Sequence, residues 1–80
     1  MRAVVLVRPK AGILDPQGAA VETSLKHLGF AVDDVRVGRV IDLELGDLGG
    51  DDARAQVERM CEQLLTNPLI ESYEIELAPA

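Results

Sequence analysis

The chain has 80 residues, enough for one domain, and 48% of them are hydrophobic while only Phe30 and Tyr73 are aromatic, so a core must be built from aliphatic side chains. The net charge of −6 argues against a nucleic-acid-binding role, which normally shows a basic surface. The apolar runs are too short to cross a membrane, the N-terminus does not resemble a signal peptide, and the single cysteine fits a cytoplasmic location.

The N-terminal stretch, residues 2–8, predicts a β-strand because β-branched residues dominate it. Apolar residues occupy both odd and even positions, so both faces of this strand are apolar. Such a strand lies in the interior of a sheet or is covered by a second protomer. Pro9 is expected to end the strand, because it has no N–H to donate.

After this strand, the sequence predicts a loop and then a helix over residues 16–28. Asp15 is a preferred N-cap residue, and Pro16 suits the first helical position. Gly29 then fits a left-handed C-cap. The apolar residues at helical spacing form one stripe, at Ala20, Val21, Leu25 and Leu28.

Two strands are predicted in the middle of the chain, at residues 31–37 and 40–45, because both are rich in β-branched and aliphatic residues. A turn at Gly38 and Arg39 would join them as a hairpin. The alternative is one long strand that is bulged at Gly38.

The C-terminal half predicts a loop over residues 46–50, a second helix over 52–65 and a strand over 69–77. Asp51 or Asp52 would cap the helix, and the Asn-Pro pair at 67–68 would end it. The loop is rich in glycine, but it lacks the lysine of a phosphate-binding loop and carries aspartates that repel phosphate. A flexible turn is the favoured interpretation.

The predicted order is therefore β-α-β-β-α-β. We expect one domain over residues 1–80, an α+β sandwich with ferredoxin-like connectivity and an antiparallel sheet with two helices on one face. This arrangement is the simplest one that buries the apolar stripes of both helices.

No pattern of catalytic or metal-binding residues emerges. His27 and Cys61 lie on different predicted helices and lack the spacing of zinc ligands. Cys61 belongs to an apolar stripe, which favours a buried and unreactive thiol. The carboxylates fall at turns, at caps and on polar strand faces. We expect no catalytic, cofactor-binding or metal-binding residue in this chain.

Four basic residues, Arg8, Lys10, Arg36 and Arg39, lie at predicted strand ends and turns of an otherwise acidic chain. The residues alone leave two interpretations equally open. One is a contact surface for an acidic partner or a phosphorylated ligand. The other is protection of the sheet edges by charge.

Several segments, taken together and in order, resemble one family. They are residues 7–10 (VRPK), 12–18 (GILDPQG), 28–30 (LGF), 35–39 (VRVGR), 60–68 (MCEQLLTNP) and 70–71 (IE). This succession resembles PurS, the small subunit of phosphoribosylformylglycinamidine (FGAM) synthase, and it covers nearly the whole chain.

The resemblance implies a subunit with no catalytic residues of its own that bridges the large synthetase subunit, PurL, and the glutaminase subunit, PurQ, and assists ammonia transfer. The complex converts formylglycinamide ribonucleotide, ATP and glutamine to FGAM, ADP, phosphate and glutamate, and ATP and Mg²⁺ act in the large subunit. The resemblance also implies a homodimer or a dimer of dimers. From the charge and the short apolar runs we expect neither a nucleic-acid nor a membrane partner.

On this basis, the expected docking surface for the partner subunits comprises the loop after the first strand, the turn at 36–39 and the end of the second helix. The docking residues expected there are Arg8, Lys10, Asp15, Pro16, Gln17, Gly18, Arg36, Gly38, Arg39, Asn67 and Pro68.

The alternative function is a small-ligand-binding regulatory module of the ACT-like type, which shares this connectivity and binds amino acids at dimer interfaces. An acylphosphatase-type enzyme is disfavoured, because Asn67, the only asparagine, is explained by a helix end. An RNA-binding sheet is disfavoured by the acidic charge and by the lack of stacking aromatic residues on the strands.

Overall fold

The computed structural model describes residues 1–46 and 49–78. Its elements, in order, are β1 (Arg2–Pro9), α1 (Pro16–His27), β2 (Arg39–Glu44), α2 (Gly50–Met60), a π-helical turn (Cys61–Leu65) that continues α2, and β3 (Glu71–Ala78). Part of the predicted loop over 46–50, Asp47 and Leu48, lies outside the described residues, as do Pro79 and Ala80.

β1 is the central strand of the sheet. The strand order is β2-β1-β3, and both neighbours run antiparallel to β1. Val5, for example, is paired with Ile41 on one side and with Ile75 on the other. An interior position explains why both faces of β1 are apolar, as the sequence predicts, and Pro9 is the last residue of the strand.

The core lies between the sheet and the helix that follows β2. It consists of small and β-branched side chains from β1 and α2, together with the buried thiol of Cys61. An aliphatic core of this kind was expected, because the chain has only two aromatic residues. The fully buried members are Ala3, Val5, Val7, Ala53, Val57 and Cys61. The α+β class and the antiparallel sheet are confirmed.

The predicted strand over residues 31–37 is wrong, so the described sheet has three strands, and neither the hairpin nor the bulged strand forms. The reason is a competing use of the backbone. The N–H of Val37 donates to a carboxylate oxygen of Asp15, at 2.8 Å, and not to a neighbouring strand. This segment is tied to the start of α1, and β2 begins only at Arg39.

The two helices are packed unequally. α2 packs against β3, and its residues Ala53 and Val57 are fully buried. In α1 only Gly18 is buried, while Val21 is 40% exposed and Leu28, at its C-cap, is 72% exposed. The prediction that both helices bury their apolar stripes on the sheet therefore holds for α2 alone.

This arrangement makes the molecule elongated. Its principal extents are 48 × 26 × 15 Å and its radius of gyration is 15.8 Å. A compact chain of this length has a radius of gyration of about 12 Å. The difference arises because α1, in which only Gly18 is buried, does not pack onto the core that β1 and α2 form.

The caps predicted from the sequence are confirmed for α1 but not for α2. Asp15 caps α1, Pro16 is its first residue, and Gly29 has a positive φ of 94° after its end. The predicted aspartate cap of α2 is wrong, because Gly49 occupies the N-cap position and no side chain caps the helix. Asp51 and Asp52 lie in the first turn, where their negative charge interacts favourably with the helix dipole and stabilises the helix.

Candidate functional site

The three connections that carry the predicted docking residues meet at one end of the sheet. The backbone N–H of Lys10 donates to the carbonyl of Ile70, at 2.8 Å. The guanidinium of Arg36 donates to the carbonyl of Pro9, also at 2.8 Å. We call this region the loop end and define it as residues 8–18, 36–39 and 67–71.

Asp15 holds two segments of the loop end together. One carboxylate oxygen accepts from the N–H of Gly18, at 3.0 Å, and the other accepts from the N–H of Val37, at 2.8 Å. These two hydrogen bonds, first that of Gly18 and then that of Val37, lower the pKa of Asp15 below its ordinary value. The helix cap was predictable from the sequence, but the contact with Val37 was not.

Gly18 and Gly38 are sites where two backbones approach closely. A Cβ atom on Gly18 would lie 2.2 Å from the carbonyl oxygen of Val35, and one on Gly38 would lie 2.1 Å from that of Val7. Only glycine fits these positions. Both were predicted as docking residues, and the structure gives both a packing role within the chain.

Arg39 links three elements through its guanidinium. It forms a two-pronged ion pair with Glu71, with N–O distances of 2.6 and 3.1 Å, and it donates to the carbonyl of Leu65 at 2.6 Å. The hydrogen bond between the two side chains raises the pKa of Arg39 and lowers the pKa of Glu71. The start of β2 is thereby fastened to β3 and to the end of the π-helical turn.

Glu71 also organises the turn before β3, although sequence reasoning assigned it no role. Its carboxylate accepts from the N–H of Asn67 at 2.7 Å, and the Asn67 side chain accepts from the N–H of Leu69 at 3.2 Å. A signal was available in the sequence: Glu71 is in phase with Tyr73 and the other inward-facing residues of β3. A carboxylate on that face requires a partner.

A pocket of about 220 Å³ lies within the loop end. Asp15, Arg39 and Glu71 line it, but each of these side chains is already paired within the chain. Its remaining walls combine apolar side chains, among them Leu14, which is 82% exposed, and Ile70, with the side chain of Gln17. The pocket therefore presents a mixed polar and apolar surface.

The other predicted docking residues are exposed. Arg8 forms a surface ion pair with Glu74 at 3.6 Å, and Arg36 forms one with Asp34 at 3.5 Å. Neither arginine protects a sheet edge, because Arg8 lies on the central strand and Arg36 lies in no strand. Lys10 has no described acidic side chain within ion-pair distance. Pro16, Gln17 and Pro68 also lie on the surface.

The described residues contain no group of three or more His, Cys, Asp or Glu side chains arranged to hold a metal ion. Burial raises the pKa of the Cys61 thiol, which disfavours the reactive thiolate. His27 is exposed on α1. No helix within residues 1–46 and 49–78 has the length and apolar character needed to span a membrane.

Comparisons with known proteins agree with one another. The family model described as PurS, phosphoribosylformylglycinamidine (FGAM) synthase, matches residues 2–79. The PurS subunit of this synthase from Mycobacterium leprae is 43% identical over 92% of this chain and 91% of its own length. The crystal structure of Methanocaldococcus jannaschii PurS has a TM-score of 0.82 at 36% identity, over 94% of this chain and 92% of that one. A chain in the structure of PurLQS from Thermotoga maritima has a TM-score of 0.84 at 32% identity, over 94% and 93%.

Proposed function

We propose that this chain, which belongs to the PurS family, bridges PurL and PurQ within FGAM synthase and assists the transfer of ammonia between them. The chain is a subunit of FGAM synthase, a ligase complex of purine biosynthesis. Its own contribution in this proposal is to assembly and not to bond-making chemistry.

The loop end is the observation that carries this proposal. Asp15, Arg39 and Glu71 fix its three connections to one another, through the hydrogen bond of Asp15 with Val37 and the ion pair of Arg39 with Glu71. The surface that remains includes the apolar side chains of Leu14 and Leu69, which are 82% and 84% exposed. Exposed apolar surface on a rigid frame suits contact with another protein.

We also propose that the chain acts as a homodimer, or as a dimer of two such dimers, in which a second copy covers α1. Val21, Leu28 and Phe30 are 40%, 72% and 60% exposed on α1 and just after it. The elongated shape supports the same proposal, since a chain of 80 residues buries too little apolar surface to leave a helix face unused. Sedimentation should give two or four times the 8.6 kDa mass of the chain at micromolar concentration, and a monomer would contradict the proposal.

In this proposal ATP and Mg²⁺ act in the large subunit, and this chain binds neither. Titration of the isolated chain with Mg²⁺ and ATP by calorimetry should therefore give no heat of binding. The cytoplasmic location expected from the cysteine content stays a prediction.

The experiment that tests the function is reconstitution of the synthase. Purified PurL and PurQ from the same organism are assayed with and without this chain, with either glutamine or ammonia as the nitrogen source. Activity with glutamine should require the chain, and activity with ammonia should not. If the chain changes neither activity, the proposal fails. Binding of a free amino acid by the isolated chain would then favour the ACT-like alternative.

A further inference from the structure

We propose that two copies of this chain exchange their first helices, so that α1 of each copy packs on the inward face of β2 in the other copy. This inference rests on the proposed homodimer and names the surface that covers α1. That surface, which we call the β2 face, is formed by the side chains of Ile41, Leu43 and Leu45.

The β2 face is incompletely covered within one chain. Its three side chains pack against the core but are only partly buried, whereas Ala3 and Val5, their neighbours on the central strand, are buried completely. α2 makes its main contact with the sheet at β3, and β2 is the opposite edge of the described sheet. An α+β sandwich that carries two helices on one face of its sheet has room for the second helix over the β2 face.

α1 is a helix without a sheet to cover it. Among the described residues, it makes no contact with a strand or with α2 that compares with the contact of α2 with β3. Val21 on its apolar stripe is 40% exposed, and Leu28 at its C-cap is 72% exposed. A helix of 12 residues is marginally stable in water without tertiary packing. One chain therefore carries both an exposed helix stripe and an apolar surface that such a stripe can cover.

The fold holds α1 away from the β2 face of its own chain. The N–H of Val37 donates to Asp15 at the N-cap of α1, and the backbone of Gly18 lies close to the carbonyl of Val35. These contacts fix the first turn of α1 at the loop end. A strand of 8 residues spans about 27 Å and a helix of 12 residues about 18 Å. Together these lengths approach the 48 Å extent of the molecule, so α1 extends beyond the end of the sheet.

Reciprocal exchange uses both surfaces in one closed assembly. Each copy donates one α1 and receives one, so a two-fold dimer contains the same contact twice. The contact removes apolar side chains of α1 and of the β2 face from water, which stabilises the dimer. A contact between two α1 helices would cover the helix stripes but would leave the β2 face of both copies open. We therefore assign α1 to the β2 face of the second copy.

Cysteine cross-linking tests which surfaces meet. Val21→Cys places a thiol on the stripe of α1, and Leu43→Cys places one on the β2 face. The two variants are mixed, allowed to exchange subunits and treated with a short bismaleimide. On a denaturing gel the mixture should give several-fold more product of twice the 8.6 kDa chain mass than either variant alone. The wild-type chain, whose Cys61 is buried, gives the background.

Val40→Cys is the matched control on the same strand. Val40 is 60% exposed, and it faces the other side of the sheet because successive side chains of a strand alternate. A mixture of Val40→Cys with Val21→Cys should give background product only. Strong product from this mixture overturns the proposal, because α1 then lies on the opposite face. Strong product from Val21→Cys alone also overturns it, because one α1 then meets another.

A chain that carries both Val21→Cys and Leu43→Cys distinguishes exchange from closure. Exchange should link two chains, whereas a link within one chain, identified by mass spectrometry, would show that α1 folds onto its own sheet and would overturn the proposal. Sedimentation of the wild-type chain separates this inference from the one on which it rests. A monomer contradicts the homodimer itself. A wild-type dimer whose mixed cysteine variants give only background product contradicts the exchange alone.

Discussion

α1 and α2 have nearly the same length, yet the chain uses them in opposite ways. α2 buries Ala53 and Val57 completely against the sheet, and its continuation buries Cys61. α1 buries only Gly18 and is held at its first turn by the carboxylate of Asp15. Since most helices in proteins are stabilised by packing of an apolar face, this difference supports the proposal that a second molecule covers α1.

The largest difference between the two helices should appear when the same substitution is made in each. Val57→Asp places a carboxylate in the closed core and should lower the free energy of unfolding by at least about 4 kcal/mol, which amounts to loss of the fold. Val21→Asp on α1 should leave the single chain folded. Circular dichroism during urea unfolding measures both effects.

Val21→Asp has its consequence in assembly. A charge on the partly exposed face of α1 should convert the dimer into a monomer in sedimentation, with the helical content retained. If this variant stays dimeric and binds its partners normally, α1 is not the dimer contact. If it unfolds like Val57→Asp, the contrast between the two helices is mistaken.

A smaller effect is expected where α1 meets the segment before β2. Gly18→Ala forces its Cβ against the carbonyl of Val35 and should lower the free energy of unfolding by about 1–3 kcal/mol. Gly49→Ala, at the N-cap of α2, meets no atom within 4 Å and serves as the control. Its effect should stay below about 1 kcal/mol. Similar losses in both variants, measured by chemical unfolding, would refute the close approach at Gly18.

The two-pronged ion pair of Arg39 with Glu71 should contribute less to the stability of the fold, because the Arg39 side chain is about half exposed to solvent. Arg39→Lys keeps the charge and loses the two-pronged geometry with Glu71, so we expect a loss of about 1 kcal/mol. The matched change Arg8→Lys, at a longer and more exposed pair, should have no measurable effect. Thermal unfolding of the two variants distinguishes them, and a larger loss for Arg8→Lys would contradict the assignment.

The smallest expected effect is a dependence of stability on acid. The folded-state pKa values of Asp15 and Glu71 lie below their ordinary values of 3.8 and 4.5, so both carboxylates stabilise the fold above those values. This stabilisation should be lost as the pH falls through the lowered pKa values. Asp15→Asn should show a shallower decline of unfolding temperature below about pH 4, and an unchanged decline would show that Asp15 is not the responsible group.

Local signals made much of this fold predictable. The cap at Asp15, the proline after it and the left-handed Gly29 depend on neighbouring residues, and all three are confirmed. The interior position of β1 followed from its two apolar faces. The match of the family model confirms the resemblance that supplied the function. The cap of α2 is the local signal that failed, because Gly49 occupies the N-cap position that an aspartate was expected to take.

The errors arise where distant contacts decide. The valines of residues 31–37 fit a strand, but the hydrogen bond from Val37 to Asp15, 22 positions away, holds this segment off the sheet. The apolar stripe of α1 would have the same periodicity whether it packed on the sheet or stayed exposed. The sequence pattern therefore did not show that the stripe is exposed in the single chain. Gly18 and Gly38 look like loop or docking residues until the opposing carbonyl groups are seen. The role of Glu71 was predictable, because it alternates in phase with Tyr73 and the other inward-facing residues of β3.

The pairing of β1 with β3 also bears on how the protein is made. Arg2 is paired with Ala78, so the central strand is synthesised first and one of its neighbours is completed 76 residues later. During translation β1 leaves the ribosome with two apolar faces and only β2 available to pair with it. The core closes after β3 has emerged, and contacts of such long sequence separation form slowly. A newly made chain therefore passes through an interval in which the apolar faces of β1 are exposed to solvent. Early binding by a second copy or a chaperone would shorten that interval.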